Sequence, residues 1–325
     1  MNNPQLDAAV AVLARGGLVA FPTETVYGLG ADAGSAVAIG RLYAAKGRPA
    51  DHPVIVHIAD MAQLPQWARE VTPLAEKLAQ KFWPGPLTLL LKRAPGVLDA
   101  VTGGQDTVGI RIPSHPVAHA LLEKFGGGIA APSANRFGRV SATTAEHVRR
   151  EFGGAVDFIF DGGECDVGIE STIVDASGAA PVLLRPGHIT ALEIEQAAGI
   201  ALAAPSAHSP RASGTLAAHY APATPLLIME SDLLLEFAAT MARQGRRVAV
   251  LARSALQPLL TGMAWIAAPR DAAAYAHDLY ANLRALDAAG GDALVVEQLP
   301  QSPDWAAVND RLGRAAAGSR PPSAS

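Results

Sequence analysis

Four basic residues lie next to the ends of predicted helices and strands, where they could bind an anionic ligand. They are Lys46, Arg48, Arg111 and Arg185. Lys46 and Arg48 flank Gly47 ahead of Pro49, which predicts that both cations lie on an irregular loop able to clamp a phosphate. Together the four cations could oppose a triphosphate, because each charge-assisted hydrogen bond typically contributes roughly 1.5–3 kcal/mol.

Each of these features also has a structural explanation. A lysine at a helix C-terminus often only compensates the helix dipole. Arg111 interrupts an apolar strand, and because buried arginines are paired, it needs either a ligand anion or a structural Asp or Glu partner. His57 lies in the apolar run over residues 54–58, where a histidine is more often a hydrogen-bonded core residue than a ligand.

Hydroxyl and amide side chains come next to several predicted strands. They are Thr23, Thr25, Tyr27, Ser133, Asn135, Ser141, Ser171 and Thr172. In open α/β folds, ligands bind at the edge of the sheet where such groups collect. The alternative for residues 21–30 is a polar turn without a ligand.

The composition excludes several classes of protein. The 325 residues carry 26 basic and 30 acidic side chains, a net charge of −4, which excludes a basic coat for nucleic acid but not a local basic groove. The single cysteine, Cys165, excludes an internal disulfide framework and a Cys-rich zinc site. Neither a signal peptide nor an apolar run long enough for a membrane span is visible, so we expect a cytoplasmic protein.

The elements that must position these residues alternate between strands and helices. Strands are predicted over 18–21, 54–58, 87–91, 108–112, 129–131, 158–160, 172–174 and 182–184, and helices over 35–46, 73–82, 116–124, 144–152 and 191–198. Thr72 is placed to cap the second helix, with Pro73 at its first position. This alternation predicts an α/β domain whose twisted sheet is as consistent with mixed as with parallel pairing.

A change in amino-acid composition along the chain predicts two domains. Residues 1–204 form the first, and 205–225, with four prolines among Ala, Ser and Gly, form a linker. A second, smaller α/β domain of Rossmann-like character follows over 226–318, with strands at 226–229, 248–251 and 294–296 and helices at 233–244, 272–288 and 305–317. Residues 319–325 are expected to be a flexible tail.

Several short motifs, in one order along the chain, resemble the YrdC/Sua5 family. They are residues 21–30 (FPTETVYGLG), 46–49 (KGRP), 53–57 (PVIVH), 84–88 (PGPLT), 108–113 (VGIRIP), 131–135 (APSAN) and 184–187 (LRPG). The segment 213–222, which ends in HYAP, and the second domain resemble the long, two-domain Sua5 form. The resemblance therefore covers nearly the whole chain, and it implies a YrdC-like first domain with a mixed, twisted sheet and helices.

The resemblance implies an enzyme that makes L-threonylcarbamoyladenylate from L-threonine, bicarbonate and ATP, with release of pyrophosphate. Such a nucleotidyltransferase uses Mg²⁺ with its ATP and needs no protein-bound metal cage. Its product passes to a tRNA threonylcarbamoyl transferase complex, which modifies the adenosine next to the anticodon. The four prolines of the linker and its motif around Tyr220 are more than a passive spacer, the alternative, requires, so we expect the linker to fold over the nucleotide as a lid.

The resemblance assigns site residues position by position. Lys46, Arg48 and Arg111 would be catalytic. The threonine pocket would contain Thr25, His57, Arg111, Ala131 and Ser171. The ATP site would contain Lys46, Arg48, His52, Thr107, Ser133, Ser141, Arg185 and Tyr220. His52 replaces a frequent asparagine of the family.

Two alternatives belong to other classes. One is an RNA-binding module that uses a basic concave groove, against which the net charge of −4 and the 5% aromatic content argue. A weak RNA contact beside the enzymatic activity is a milder form of it. The other is a carbamoyl-transfer domain of the hydrogenase-maturation type, against which the single cysteine argues.

Overall fold

The computed structural model describes residues 4–258 and 263–319. The chain divides into two compact units, one formed by Met1–Phe137 with Ala142–Thr215 and the other by Gly138–Ser141 with Leu216–Ser325. No described helix is both long enough and apolar enough to cross a membrane.

The first unit alternates strands and helices. Its elements are α1 (Pro4–Ala14), β1 (Val19–Phe21), β2 (Gly28–Asp32), α2 (Ala36–Lys46), β3 (Ile55–His57), β4 (Ala68–Glu70), α3 (Pro73–Phe82), β5 (Leu87–Arg93), α4 (Asp99–Thr102), β6 (Thr107–Arg111), α5 (Pro116–Phe125), β7 (Ile129–Ala130), α6 (Ala145–Phe152), β8 (Phe158–Ile159), β9 (Thr172–Asp175), β10 (Val182–Arg185) and α7 (Ala191–Ala198).

The strands of this unit form one mixed sheet. Within the described residues it has ten strands in the order β10-β9-β5-β6-β3-β7-β2-β1-β8, with β4 paired to β5. The β3–β6, β5–β9 and β1–β8 pairs are parallel and the others antiparallel. The prediction of an α/β fold with a mixed sheet is confirmed.

Local capping fixes the helix boundaries that the site depends on. The Thr72 hydroxyl accepts from the N–H of Ala75 and starts α3, as predicted. Gly47 ends α2 in the left-handed conformation, with φ at 61°, which glycine adopts without strain. The prediction that both cations around Gly47 lie on a loop is wrong for Lys46, which is the last residue of α2.

Apolar burial holds the sheet between its helices. One cluster contains Leu29, Ile39, Leu42, Val56 and Ile110 among its fully buried members. Helices α1 and α5 contribute to a second apolar cluster, which includes Leu13 of α1 and Leu121 of α5. These two clusters leave the polar ends of the strands as the place where charged side chains collect.

The second unit is a smaller α/β fold. Its elements are β11 (Leu226–Met229), α8 (Ser231–Arg243), β12 (Val248–Ala252), β13 (Met263–Ala267), α9 (Ala272–Ala288), β14 (Ala293–Glu297) and α10 (Ala306–Ser319). In the described part, four strands pair in parallel in the order β11-β14-β12-β13. The predicted smaller α/β domain is confirmed. Of the predicted tail, Ser319 ends α10 and residues 320–325 lie outside the described residues.

Candidate active site

Four predicted cations are buried in the first unit. Lys46, Arg48, Arg111 and Arg185 are 3%, 7%, 4% and 3% exposed. Charged side chains are rarely buried to this extent unless they are paired. The partners of each cation therefore define the chemistry of the site.

Arg111 forms a buried ion pair with Glu24. Its Nη2 lies 2.7 Å from Oε1 of Glu24, and both side chains are almost inaccessible. The guanidinium also donates from Nη1 to the Thr25 hydroxyl at 2.8 Å and from Nε to the Gly85 carbonyl at 3.2 Å. The structure thus shows one of the two expected partners of Arg111, a structural carboxylate. The guanidinium nevertheless contacts Thr25, a residue predicted to bind the substrate threonine.

Lys46 bonds to the backbone of the loop after β7. Its ammonium donates to the carbonyls of Ser133, at 2.5 Å, and of Asn135. Burial lowers the pKa of Lys46 well below its usual value, and the positive charge of Arg48 lowers it further. Two of the three N–H groups are used by carbonyls, so Lys46 positions the Ser133 loop in addition to carrying charge.

Arg48 and Arg185 both hold Ser213. Arg48 donates to the Pro53 carbonyl at 2.7 Å and to the Ser213 hydroxyl at 3.3 Å. Arg185 donates to the Ser213 carbonyl at 2.7 Å and, through Nε and Nη2, to the Ser171 carbonyl. The two arginines predicted to bind the nucleotide are thus both hydrogen-bonded to Ser213, a residue of the predicted linker.

Residues 211–213 of the predicted linker belong to the first unit and form a strap that packs on its other residues. The backbone N–H of Arg211 donates to the Gln105 side chain at 2.6 Å, and its guanidinium donates to the Gly103 carbonyl at 2.8 Å. Ala212 packs on a small apolar cluster that contains Ile55 and Ile173. The strap is therefore anchored by both polar and apolar contacts.

A small, partly open cavity lies beside this strap. Its lining includes Ile55, Thr107, Gly109 and Ile173 of the sheet together with the strap. The Thr107 hydroxyl, predicted to contact ATP, is buried there and has no hydrogen-bond partner among the described residues. An unpaired buried hydroxyl is costly, which is typical of a position that a ligand completes.

His57 is a neutral histidine at the end of β3. Burial lowers its pKa from 6.5 to about 3, and the positive charge of Arg111 lowers it further. Its ring meets Phe21 edge-on, with centroids 6.3 Å apart, and its Nδ1 has no partner in the described part of the chain. The imidazole therefore remains uncharged at neutral pH.

The other residues predicted to bind the substrate threonine lie in loops next to strand ends of the same sheet. The Ala131 N–H donates to the Ile55 carbonyl at 2.9 Å, which places Ala131 at the end of β7 beside β3. Thr25 is bonded to Arg111, and Ser171 accepts from Nη2 of Arg185 at 3.1 Å. Arg185 thus connects Ser171, which is predicted to bind the substrate threonine, to the residues predicted to bind the nucleotide.

The predicted ATP residues are divided between the units. His52 belongs to the first, where its ring meets Phe137 edge-on at 5.3 Å and burial lowers its pKa. Ser141 and Tyr220 belong to the second, in which Arg284 donates to the Ser141 carbonyl at 3.1 Å. Tyr220 has a φ of 60°, rare for a residue other than glycine, and the Arg311 guanidinium lies 5.3 Å from its ring.

Residue patterns did not reveal three members of the site. Glu24 lies in the polar run after β1, yet only the fold brings it to Arg111, 87 positions away. Thr88 bonds the Ser171 hydroxyl at 2.8 Å, and Ser213 bridges two arginines. The need of buried Arg111 for a partner was the only signal, and it could not identify Glu24.

The comparisons with known proteins agree over nearly the whole chain. Residues 11–187 match the family described as "Telomere recombination" (Sua5_yciO_yrdC), and residues 189–317 match the "Threonylcarbamoyl-AMP synthase, C-terminal domain". A threonylcarbamoyl-AMP synthase of Pyrococcus abyssi is 39% identical, over 96% of this chain and 94% of the relative. One of Bacillus subtilis is 40% identical over 98% and 94%.

The chain belongs to the two-domain, Sua5-type threonylcarbamoyl-AMP synthases. A solved structure of P. abyssi Sua5 complexed with L-threonine superposes with a TM-score of 0.89 at 38% identity, covering 97% of this chain and 94% of that one. The predicted family and enzymatic activity, threonylcarbamoyl-AMP synthesis for threonylcarbamoyladenosine in tRNA, are confirmed. The relatives favour this enzyme over an RNA-binding module.

Proposed function

We propose that this synthase condenses L-threonine, bicarbonate and ATP through the buried residues of its first unit. The observation that carries the proposal is the joining of Arg48 and Arg185 through Ser213, with Arg185 also bonded to Ser171. Cations suited to phosphate are thereby connected to a hydroxyl suited to an amino acid.

The amino-acid pocket comprises Thr25, His57, Arg111, Ala131 and Ser171. Because Glu24 balances the charge of Arg111, the pair can remain buried while no substrate is bound. His57 is uncharged, so it adds a polar atom without repelling an ammonium group. The P. abyssi relative bound to L-threonine supports the assignment of this substrate.

The nucleotide site of the first unit comprises Lys46, Arg48, His52, Thr107, Ser133 and Arg185, while contact of Ser141 and Tyr220 of the second unit with ATP stays a prediction. In this assignment the triphosphate takes over the guanidinium groups that now bond Ser213, since phosphate oxygens are stronger acceptors than a neutral carbonyl or hydroxyl. The buried hydroxyl of Thr107 gains a partner at the same time.

The chemistry proceeds in two steps. The threonine nitrogen attacks the carbon of bicarbonate, or of CO₂ in equilibrium with it, to form a carbamate; bicarbonate loses water in this step. A carbamate oxygen then attacks the α-phosphorus, and the bond from that phosphorus to the bridging oxygen breaks, so that pyrophosphate leaves with its electron pair. Lys46, Arg48 and Arg111 act by orienting the groups and balancing the developing negative charge.

Mg²⁺ would arrive with ATP and reduce the charge of its phosphates. Across the described residues, no group of three or more His, Cys, Asp or Glu side chains could hold a metal ion. In sites that bind a nucleoside triphosphate, Mg²⁺ is usually held by one or two carboxylates together with substrate phosphates and water. The protein itself helps to neutralise the phosphates through the cationic side chains of Arg48 and Arg185.

The linker over residues 205–225 is proposed as a lid. Its strap already lies against the first unit and touches both nucleotide arginines. A lid that closes again over bound ATP would exclude water from the carbamate. The product would then pass, in the cytoplasm, to a tRNA threonylcarbamoyl transferase complex.

The proposal is tested by measuring pyrophosphate release from the full-length protein. Release should require ATP, L-threonine and bicarbonate together, and Arg48→Ala and Arg185→Ala should each raise the KM for ATP. Pyrophosphate release that is equally fast without threonine would contradict the proposal. An unchanged KM for ATP in both variants would remove the two arginines from the nucleotide site.

A further inference from the structure

Two residues predicted to contact the substrate threonine, Thr25 and Ser171, are each hydrogen-bonded to a second buried hydroxyl. The Thr23 hydroxyl oxygen lies 2.8 Å from that of Thr25, and the Thr88 hydroxyl oxygen lies 2.8 Å from that of Ser171. All four side chains are at most 2% exposed. Because a hydroxyl has one proton and two lone pairs, the neighbours of each pair determine which oxygen donates.

The first pair leaves Thr25 as an acceptor. The Thr23 hydroxyl lies 2.6 Å from the Val26 carbonyl, which can only accept, so the proton of Thr23 is used there. Thr25 must therefore donate its own proton to one lone pair of Thr23, whose other lone pair is shared by two longer, 3.2 Å bonds from backbone N–H groups. Arg111 donates to Thr25 at 2.8 Å, and one lone pair of Thr25 remains for a ligand.

The second pair leaves Ser171 as a donor. Nη2 of Arg185 donates to the Ser171 hydroxyl at 3.1 Å and takes one of its lone pairs. In the described part of the chain, Ser171 is the one hydrogen-bond partner of the Thr88 hydroxyl. Thr88 is fully buried, so donation from Ser171 to Thr88 would leave the Thr88 proton unpaired away from water. Thr88 therefore donates to Ser171, whose own proton remains for a ligand.

We propose that Thr23 and Thr88 are positioning residues that set the polarity of the amino-acid pocket. Thr25 accepts from the amino or side-chain hydroxyl group of the substrate, and Ser171 donates to a carboxylate oxygen. The inference rests on the proposed function, in which Thr25 and Ser171 contact threonine. It adds that the pocket orients its substrate by one fixed acceptor and one fixed donor.

The test compares Thr88→Val with Thr88→Ser in the full-length enzyme. Valine keeps the shape but lacks the hydroxyl, so it frees Ser171 to turn its proton toward other acceptors. We expect the KM for threonine to rise about three- to tenfold in Thr88→Val, the effect of one neutral hydrogen bond, and to recover in Thr88→Ser. Thr23→Val should raise the same KM. Thr102→Val, a buried threonine bonded to Arg93, is the matched control and should leave it unchanged.

A double-mutant cycle separates this role from packing. If Thr88 acts through the Ser171 hydroxyl, Thr88→Val should have no further effect on the KM for threonine in a Ser171→Ala background. An effect of Thr88→Val that persists in that background would overturn the proposal. An unchanged KM for threonine in Thr88→Val, combined with a raised KM in Ser171→Ala, would also overturn this inference, but it would leave the proposed function intact. An unchanged KM in Ser171→Ala itself would remove Ser171 from the pocket, and the inference with it.

Discussion

At the scale of single residues, the proposed site gives Arg111 two roles, one in the buried ion pair with Glu24 and one in binding the substrate. Arg111→Ala would remove the proposed substrate contact and leave the Glu24 carboxylate buried without its cation. We expect kcat/KM for adenylate formation to fall about 30- to 4000-fold, and stability to fall by about 3–5 kcal/mol. Steady-state kinetics and thermal unfolding measure the two effects.

A double variant separates these effects. Arg111→Met combined with Glu24→Gln removes both charges, so we expect the unfolding temperature to recover most of the loss while activity stays low. Full activity in this variant would show that the Arg111 charge is not needed for the reaction.

Substrate choice is also decided at this scale. Serine lacks only the methyl group of threonine, and one such group in a close-fitting pocket contributes about 1–3 kcal/mol, so serine should be a slower substrate. Valine cannot satisfy the hydroxyl-binding atoms and should be rejected more strongly. Competition assays that compare kcat/KM for the three amino acids test this order. Equal values for valine and threonine would contradict the pocket described here.

His57 should make stability depend on pH in a defined window. Its pKa falls from 6.5 to about 3 on folding, so between these values the unfolded chain binds a proton that the folded chain does not. The contribution to stability is complete above pH 6.5 and is lost as pH falls toward 3, by up to about 1.4 kcal/mol per pH unit. Denaturation at several pH values should give a smaller slope for His57→Gln, whereas His208→Gln, at an exposed position, should keep the original slope.

At the scale of elements, short-range chemistry determined which boundaries the sequence could predict. The helix over 73–82 was predicted at its observed bounds because Thr72 and Pro73 mark its start. Strand β2, with the sequence GLGAD, was missed, because Gly and Ala have little strand propensity and the strand exists through pairing with β1 and β7. Likewise, the cations of the site were identified from local pattern, while Glu24 and Thr88, whose roles depend on distant contacts, were not.

The strap of residues 211–213 is the element whose change is most informative. Arg211→Ala removes its guanidinium bond to Gly103 and should loosen the proposed lid. We expect ATP to be hydrolysed without adenylate more often, so that the ratio of adenylate formed to pyrophosphate released falls. Arg246→Ala, an exposed arginine of the second unit, should leave the ratio unchanged. An unchanged ratio in Arg211→Ala would argue against a lid anchored at this residue.

At the scale of the whole molecule, the sequence predicts two domains because a proline-rich, weakly apolar segment separates two α/β patterns. The sequence did not show that residues 138–141 join the second unit or that residues up to Thr215 remain with the first. Such an exchange of short segments depends on tertiary contacts such as those of Arg284 with Val140 and Ser141. The predicted division at 204 and 225 stays a prediction about domains.

The central claim is that one protein joins threonine, bicarbonate and ATP in a single product. Incubation of the full-length chain with ATP, L-threonine and carbon-13 bicarbonate, followed by mass spectrometry, tests it most directly. We predict an adenylate that contains threonine and the heavy carbon, formed together with pyrophosphate, and absent when threonine is omitted. An adenylate without the heavy carbon, or ATP consumption that yields no threonine-containing adenylate, would contradict it.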